Sequence, residues 1–505
     1  MKSIKYFIAL TAIIMVFSGC KKFLNVTPVD ALSGNNFWKT RKDVEGFTNG
    51  IYTVLRDKVG KTILLPALEI RGNYVLTSGS IDASGNNVVN NLINNNLKAM
   101  IKSTTTYDTR MKTVMNWKPW YDIISASNIL FVEIDQVPAS ELSDVEKKRY
   151  KAEAVFLRNL SYMFICKIFG NAIYYTEAYN SKPLPRLSQV EVMKNCIADM
   201  AAVKNDLPVV YPDAVSKGFR PTRASAAALL MHLNMWASAW DEPNRNGYYT
   251  AVLKLAEELS SYTNYRVLPI TTENTMRIFK GRSEENLFGV LQDFNYGETF
   301  AGYANYSFFF SSYPYRGALS KTASFMSYEK EYINKLFPAG TRDERLSTWF
   351  DNYNSGNTTF QFKKFANRYA TGLGSALTIN NDDSAIIFRL PDALLLAAEA
   401  AAELNDAATA QGYLNQIRAA AAAPSITSTG ATLRKDIYEE RCRELIGEGH
   451  FFFDLVRTGR ATETEFSKAL ISVGNFNSGA WTWPLILPVS EAAANPHLVG
   501  NNFWN

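Results

Sequence analysis

The sequence predicts a mainly α protein, in which tetratricopeptide-like helix pairs form an α-helical scaffold with long irregular loops and minor β structure. Apolar residues recur at three- or four-residue steps in several long segments. Stretches rich in Asn, Gly, Ser and Tyr separate those segments. Of the 505 residues, 47% are hydrophobic and 20% are charged, which suits a large folded body and excludes wholesale disorder.

The N-terminus has the pattern of a lipoprotein signal peptide. Lys2 and Lys5 precede an apolar run, residues 6–17, that is short for a membrane span, and small residues then lead to Cys20. We expect residues 1–19 to be removed, acyl chains to be attached to Cys20, and residues 20–39 to form a lipidated tether before a single domain, 40–505. An ordinary signal with an incidental cysteine is the alternative.

The helices are predicted in order along the chain. A capping-box pattern at Thr40 and Asp43 opens the first one, and Pro391 opens a late helical hairpin. The apolar residues that share helical faces are Val44, Phe47 and Ile51; Leu157, Leu160, Phe164 and Ile168; Leu229, Leu233, Trp236 and Trp240; Val252, Leu255 and Leu259; Leu394, Ala397, Ala401 and Leu404; and Ala410, Leu414 and Ile417. Small residues in the hairpin are what a degenerate tetratricopeptide-like repeat requires.

Three long segments, residues 71–96, 292–317 and 351–383, are predicted to be irregular. Loops of this length are unusual in a compact domain unless they bind something or are disordered. The middle segment has too many aromatic residues for a disordered linker, so we expect it to be ordered.

Catalytic patterns are scarce. The three histidines, His232, His450 and His497, are far apart in sequence and form no zinc-hydrolase motif, so no metal, cofactor or catalytic residue is predicted. The formal charge of +5 gives no reason to expect nucleic-acid binding. Three scattered cysteines remain after Cys20 and form no disulfide framework. A two-carboxylate glycosidase stays open, because sequence does not reveal the separation of carboxylates.

One C-terminal segment closely resembles the hallmark of the SusD/RagB family of outer-membrane nutrient-uptake lipoproteins. It is residues 441–460, which read RCRELIGEGHFFFDLVRTGR. Other matching pieces, in order, are CKKFLNVTP at 20–28, NFWKT at 36–40, the segment 158–170 ending in Phe-Gly, and RLPDA at 389–393. The resemblance spans nearly the whole chain.

This resemblance implies a function as well as a fold. It implies irregular ligand-binding loops on the helical scaffold, and a lipid-anchored protein of the outer membrane that is exposed at the cell surface. It also implies a partner, a SusC-like TonB-dependent β-barrel transporter to which oligosaccharides, or less often peptides, are delivered. Such a protein is not an enzyme. A lipid-anchored surface glycoside hydrolase or other hydrolase is the alternative function.

The hallmark also has a reading that rests on charge alone. Arg441, Glu444, Glu448 and Arg457 alternate in sign around an aromatic run, residues 451–453. We therefore expect a buried or half-buried ion-pair network that fixes the end of the helix.

Ligand residues are predicted in two of the irregular segments. Aromatic rings cover the apolar faces of sugars, and polar side chains bind the hydroxyls. The predicted ligand-binding residues are Arg71, Asn73, Tyr74, Tyr296, Tyr303, Tyr306, Tyr313 and Tyr315. Trp236 and Trp240 are predicted to be core residues, while Trp349 and Trp481 are left undecided.

Overall fold

The computed structural model describes residues 37–77, 83–102, 110, 112–300, 326–351, 353, 360–374, 377–487, 493–501 and 503–504. Helices dominate these residues, and the strands are few and short. The predicted mainly α class with minor β structure is therefore confirmed. The division into a signal, a tether and one domain stays a prediction, and Cys20 lies outside the described residues.

The α-helices are long in the middle of the chain and short near the loops. In chain order they are α1 (Arg41–Gly60), α2 (Leu64–Ile70), α3 (Ala83–Ile93), α4 (Leu97–Lys102), α5 (Lys118–Glu133), α6 (Asp144–Phe169), α7 (Gln189–Val203), α8 (Arg223–Trp240), α9 (Arg245–Ser260), α10 (Thr272–Lys280), α11 (Lys330–Leu336), α12 (Glu344–Trp349), α13 (Leu390–Glu403), α14 (Ala407–Ala420), α15 (Gly430–Glu444), α16 (Phe451–Arg457) and α17 (Val473–Asn477).

The strands form two-stranded antiparallel ribbons. They are β1 (Val75–Thr77), β2 (Asn286–Val290), β3 (Met326–Tyr328), β4 (Phe350–Asp351), β5 (Gln361–Phe362), β6 (Arg368–Thr371), β7 (Thr378–Asn381) and β8 (Ala385–Arg389). β1 pairs with β3, β2 with β8, β4 with β5, and β6 with β7. The β2–β8 ribbon is buried throughout, and β8 leads directly into α13.

Side-chain caps fix the starts of several helices. Thr40 and Asp43 form the predicted capping box at α1, with each side chain bonded to the backbone of the other. Ser143 caps α6 and Ser188 caps α7 in the same way. These caps satisfy backbone N–H groups that have no partner within the helix.

Successive helices pack against one another and build the scaffold. α5 packs on α6, α6 on α7, α7 on α8 and α8 on α9, after which α13 packs on α9, α14 and α15. The predicted late hairpin is thus present as α13 and α14. Its buried residues include the small Ala397 and Ala401 of α13 and the larger Leu414 of α14.

The prediction that residues 71–96 are irregular is wrong, because β1 and α3 lie within them. The Asn-rich sequence of α3 is a weak helix former, but Val88, Val89 and Leu92 are buried. Tertiary burial therefore outweighs local propensity here. In residues 351–383, the described part likewise contains the β6–β7 ribbon and β5.

Most of the predicted core is observed. Trp236 is fully buried, whereas Trp240 is only half-buried and packs against the core. Trp349 and Trp481, left undecided from sequence, are both buried. Within the described ranges, no helix combines the length and the apolar character needed to cross a membrane.

Candidate functional site

Two of the segments that sequence predicts to bind ligand adjoin the β1–β3 ribbon. Thr77, the last residue of β1, is paired with Met326, the first residue of β3. The chain continues from Thr77 into residues 78–82, and it reaches Met326 from residues 301–325, neither of which is among the described residues. Thr77 and Met326, which border these two undescribed stretches, are therefore side by side.

A cavity of about 350 Å³ lies where α1 meets β2 and the segment before α8. Its lining residues are Asn49, Tyr52, Thr53, Leu55, Arg56, Val215, Phe219, Arg220, Gly289, Val290, Leu291 and Glu298. Aromatic rings, arginines and an amide thus share one concave surface. That mixture suits a ligand with both apolar faces and hydrogen-bonding groups, and the volume is at the lower end of small-molecule sites.

Buried Glu153 holds two residues of this cavity in place. Its Oε1 accepts hydrogen bonds from the Tyr52 hydroxyl at 2.6 Å and from Arg220 Nη1 at 2.5 Å. The Arg220 guanidinium also lies over the Tyr52 ring, 4.3 Å from the ring centroid. Burial raises the pKa of Tyr52 well above its ordinary value, so its hydroxyl stays protonated and neutral.

Exposed aromatic rings continue from the cavity onto the surface. Tyr296 is 66% exposed and Phe294 is 42% exposed, and the Phe294 ring stacks on Tyr369 with centroids 4.4 Å apart. The Arg282 guanidinium lies 5.3 Å from the Phe219 centroid and 5.8 Å from the Tyr296 centroid. It therefore joins the cavity to the exposed rings.

The backbone around these rings is constrained. Asp293 and Glu298 pair across a tight turn, and Gly297 occupies the left-handed region at φ +72°. Arg282 adopts φ +73°, a conformation that residues other than glycine seldom adopt. Such strain often accompanies functional sites. We call the set Tyr52, Arg220, Arg282, Phe294, Tyr296 and Tyr369 the aromatic surface.

Arg71 is a structural residue, and its prediction as a ligand residue is corrected. It is fully buried, and its guanidinium donates to the carbonyls of Ala480 at 2.7 Å, Trp481 at 2.8 Å and Thr482 at 3.0 Å. The guanidinium also lies 4.1 Å from the Phe452 ring centroid. Arg71 therefore holds the C-terminal segment against the core.

The prediction that Asn73 binds ligand is corrected for a similar reason. It is fully buried, and its amide donates to the carbonyl of Glu69 at 2.9 Å and accepts from the backbone N–H of Tyr74 at 2.8 Å. Tyr74 itself is half-buried and stacks on Tyr332, with centroids 4.9 Å apart. Its role in binding stays a prediction.

Tyr296 is the predicted ligand residue that the structure places on an exposed aromatic surface. Tyr303, Tyr306, Tyr313 and Tyr315 lie outside the described residues, so their roles also stay predictions. Sequence reasoning missed Tyr52, Arg220, Arg282 and Tyr369. They come from four separate segments, and the one sequence signal was the position of Tyr369 within the predicted irregular segment 351–383.

Two of the histidines meet in space, contrary to what their separation in sequence suggested. The rings of His232 and His450 have centroids 5.9 Å apart, and with Asp392 they offer ligand atoms within 4.8 Å of one another. His232 Nε2 already lies 2.6 Å from Asp392, and His232 Nδ1 lies 3.2 Å from Lys167 Nζ. Because hydrogen bonds engage both ring nitrogens of His232, the cluster fits a packed core.

The hallmark residues are buried in ion pairs, as predicted, but their partners lie elsewhere. Arg441 bonds to Asp454 at 2.8 Å and to Asp392 at 2.9 Å. Arg457 bonds to Asp454 at 2.8 Å and to Glu399. None of these contacts joins an arginine of the predicted set to a glutamate of that set.

The two hallmark glutamates bind basic residues from distant segments. Glu444 accepts from Arg389 at 2.6 Å and from Arg345 at 3.0 Å. Glu448 accepts from Arg389 at 2.7 Å and from Lys364 at 2.6 Å. Opposing charges keep the pKa of Glu448 low, at about 2, although burial alone would raise it.

Comparisons with known proteins agree with this architecture. A family described as "SusD family" matches residues 291–495, and one described as "Starch-binding associating with outer membrane" matches residues 64–234. SusD-like protein P25 of Formosa agariphila is 24% identical over an alignment of 534 positions, gaps included, which covers 98% of each chain. Surface glycan-binding protein A of Bacteroides thetaiotaomicron has the same fold, with 19% identity, a TM-score of 0.66, and coverage of 92% of this chain and 100% of that chain.

A SusD homologue from Bacteroides thetaiotaomicron is more similar in sequence. Its crystal structure superposes with a TM-score of 0.84. The two proteins share 35% identity, and the match covers 93% of this chain and 100% of that one. With this identity over nearly the full length, and with the hallmark segment buried in the core, the chain belongs to the SusD family.

Proposed function

We propose that this protein is a non-catalytic lipoprotein that captures glycans at the outer membrane and delivers them to a SusC-like TonB-dependent transporter. The observation that carries the proposal is the aromatic surface, where exposed Tyr296 lies beside an arginine-lined cavity. Aromatic faces cover the C–H groups of sugar rings, and the arginine and amide groups bind hydroxyls. The similarity to a glycan-binding protein of the same fold supports a carbohydrate ligand.

The transporter part of the proposal rests on the family. A SusD-family protein held at the outer membrane needs a route for its ligand through that membrane, and a β-barrel supplies one. The family description "associating with outer membrane" supports that location. We expect the partner to be recovered with the protein when membranes are solubilised in mild detergent.

Replacing Tyr296 with Ala should weaken glycan binding by about 1–3 kcal/mol, because an exposed recognition ring is lost. Thermal stability should change little, since the ring lies outside the core. Calorimetric titration with soluble glycans, beginning with starch oligosaccharides, measures the first effect, and a thermal melt measures the second. Tyr179→Ala is the matched control, because Tyr179 is 60% exposed and does not line the cavity.

Two outcomes would contradict this prediction. If Tyr296→Ala and Tyr179→Ala bind the glycan as tightly as the parent, the aromatic surface is not the binding site. If the parent releases shorter products from the glycan, the non-catalytic part of the proposal is wrong, and the hydrolase alternative gains support.

The lipid anchor has a separate test. Cys20→Ala should move the protein from the membrane fraction to the soluble fraction, because Cys20 is the residue placed for acylation. Cell fractionation followed by immunoblotting measures this change. Cys442→Ala serves as the control, since Cys442 lies within α15. Unchanged sedimentation of Cys20→Ala with outer membranes would refute the anchor.

A further inference from the structure

A second cavity, of about 300 Å³, lies in the helical scaffold. Its walls come from the end of α8, from α9, α13 and α15, and from the turn after α16. That turn is the final Thr458-Gly459-Arg460 of the hallmark. None of the residues of the aromatic surface lines this cavity, so it is a distinct place in the fold.

The acidic residues of the wall are already compensated. Glu399 accepts a hydrogen bond from Arg457 Nη2 at 2.7 Å, and Glu403 lies 3.2 Å from Arg434 Nε. Asp454, which Arg457 also contacts, is paired with Arg441. Each of these carboxylates is therefore paired with at least one arginine.

Two further arginines of the wall have no carboxylate partner among the described residues. Arg460 lies over the Tyr438 ring, 4.5 Å from its centroid, and its buried Nε makes no hydrogen bond. Arg245 donates from Nε to the carbonyl of Ser238 at 3.0 Å. Its terminal N–H groups are therefore left to donate to a ligand. The wall thus carries four arginines and two glutamates, an excess of positive charge.

We infer that this cavity binds a monosaccharide-sized sugar acid, with the carboxylate held by Arg245 and Arg460. Guanidinium groups present paired N–H donors that match the geometry of a carboxylate. The rings of Tyr249 and Tyr438 supply an apolar wall for the sugar ring. The volume is close to the lower limit for small-molecule sites, which favours one sugar unit over a chain. The inference does not depend on the proposed glycan site.

Calorimetric titration of the mature protein with D-glucuronate tests this inference, and D-glucose is the uncharged control ligand. We expect saturable binding of glucuronate and none of glucose. Arg460→Gln should weaken glucuronate binding by about tenfold or more, since a charge-assisted contact is lost. Arg266→Gln is the control, because its side chain is exposed and lies outside the cavity. Sodium sulfate at equal ionic strength should bind more weakly than glucuronate.

A second variant keeps the test decisive if Arg460→Gln does not fold. Arg245 is half-buried at the cavity wall, and Arg245→Gln should weaken glucuronate binding to a similar extent. The inference is overturned if the parent shows no saturable binding of glucuronate, if glucose or sulfate binds equally well, or if the folded variants bind as the parent does. A melting temperature for each variant confirms that it is folded.

Discussion

Replacing Arg389 with Met is expected to lower the free energy of unfolding by about 3–5 kcal/mol, because it removes the base from a buried group of acids. Arg389 is almost fully buried. Its Nε donates to Glu448 at 2.7 Å, and its Nη1 donates to Glu444 at 2.6 Å and to Glu285 at 3.3 Å. One guanidinium therefore compensates three carboxylates.

The three carboxylates differ in the basic partners that they would keep after Arg389 is replaced. Glu448 keeps Lys364 at 2.6 Å, and Glu444 keeps Arg345 at 3.0 Å. Glu285 has no other basic partner in the described part of the chain, and burial already raises its pKa to about 7. Without Arg389, we expect Glu285 to take up a proton at neutral pH, and the other two charges to be poorly compensated.

Urea unfolding followed by circular dichroism measures this loss. Arg41→Met is the matched control, because Arg41 bonds to Glu146 at 2.6 Å, with side chains that are 41% and 32% exposed. An exposed pair of this kind contributes at most about 1 kcal/mol. If Arg389→Met and Arg41→Met unfold at the same urea concentration, the buried network does not stabilise the fold as argued.

The helices could be predicted because their signals are local. The capping box of α1 and the apolar positions of α6 and α8 depend on residues a few positions apart. The burial of the hallmark charges was predicted on the same basis. Their partners were not, because Arg345, Lys364 and Arg389 lie 55 or more positions from the glutamates they bind.

The candidate site was harder to predict than the fold. Arg71 and Tyr296 both lie in polar, aromatic segments, yet one is a core residue and the other is exposed. The sequence of either segment does not show whether the side chain is buried or exposed. The position of Arg71 depends on the carbonyls of residues 480–482, which are distant in sequence. Tyr52 and Arg220 are likewise distant in sequence, and both are bonded to Glu153, a third distant residue.

Protonation of His232 should make the stability of the fold strongly dependent on pH. Burial lowers the pKa of His232 to about 4 from an ordinary 6.5. The unfolded chain therefore binds more protons than the folded one between these values, and stability is lost as the pH falls from 6.5 toward 4. At about 1.4 kcal/mol per pKa unit, the full loss is about 3 kcal/mol. The pKa of His450 is also lowered by burial, and it acts in the same direction.

Two buried acids oppose this effect. Burial raises the pKa of Glu285 to about 7 and that of Asp383 to about 6. For these groups the folded protein binds more protons than the unfolded chain, so their contribution to stability rises as the pH falls through the same window. The pH profile of the parent alone therefore does not isolate His232, and a variant is needed.

His232→Gln separates the histidine from the acids that oppose it. A glutamine amide can donate to Asp392 and accept from Lys167, as the imidazole does, but it takes up no proton. Between pH 6.5 and 4.5 we expect the variant to lose less stability than the parent, by about 2 kcal/mol. Urea unfolding at a series of pH values measures the difference, with His497→Gln as the control because His497 is exposed. If the free energy of unfolding depends on pH equally in the parent and in His232→Gln, protonation of the buried imidazole does not destabilise the fold.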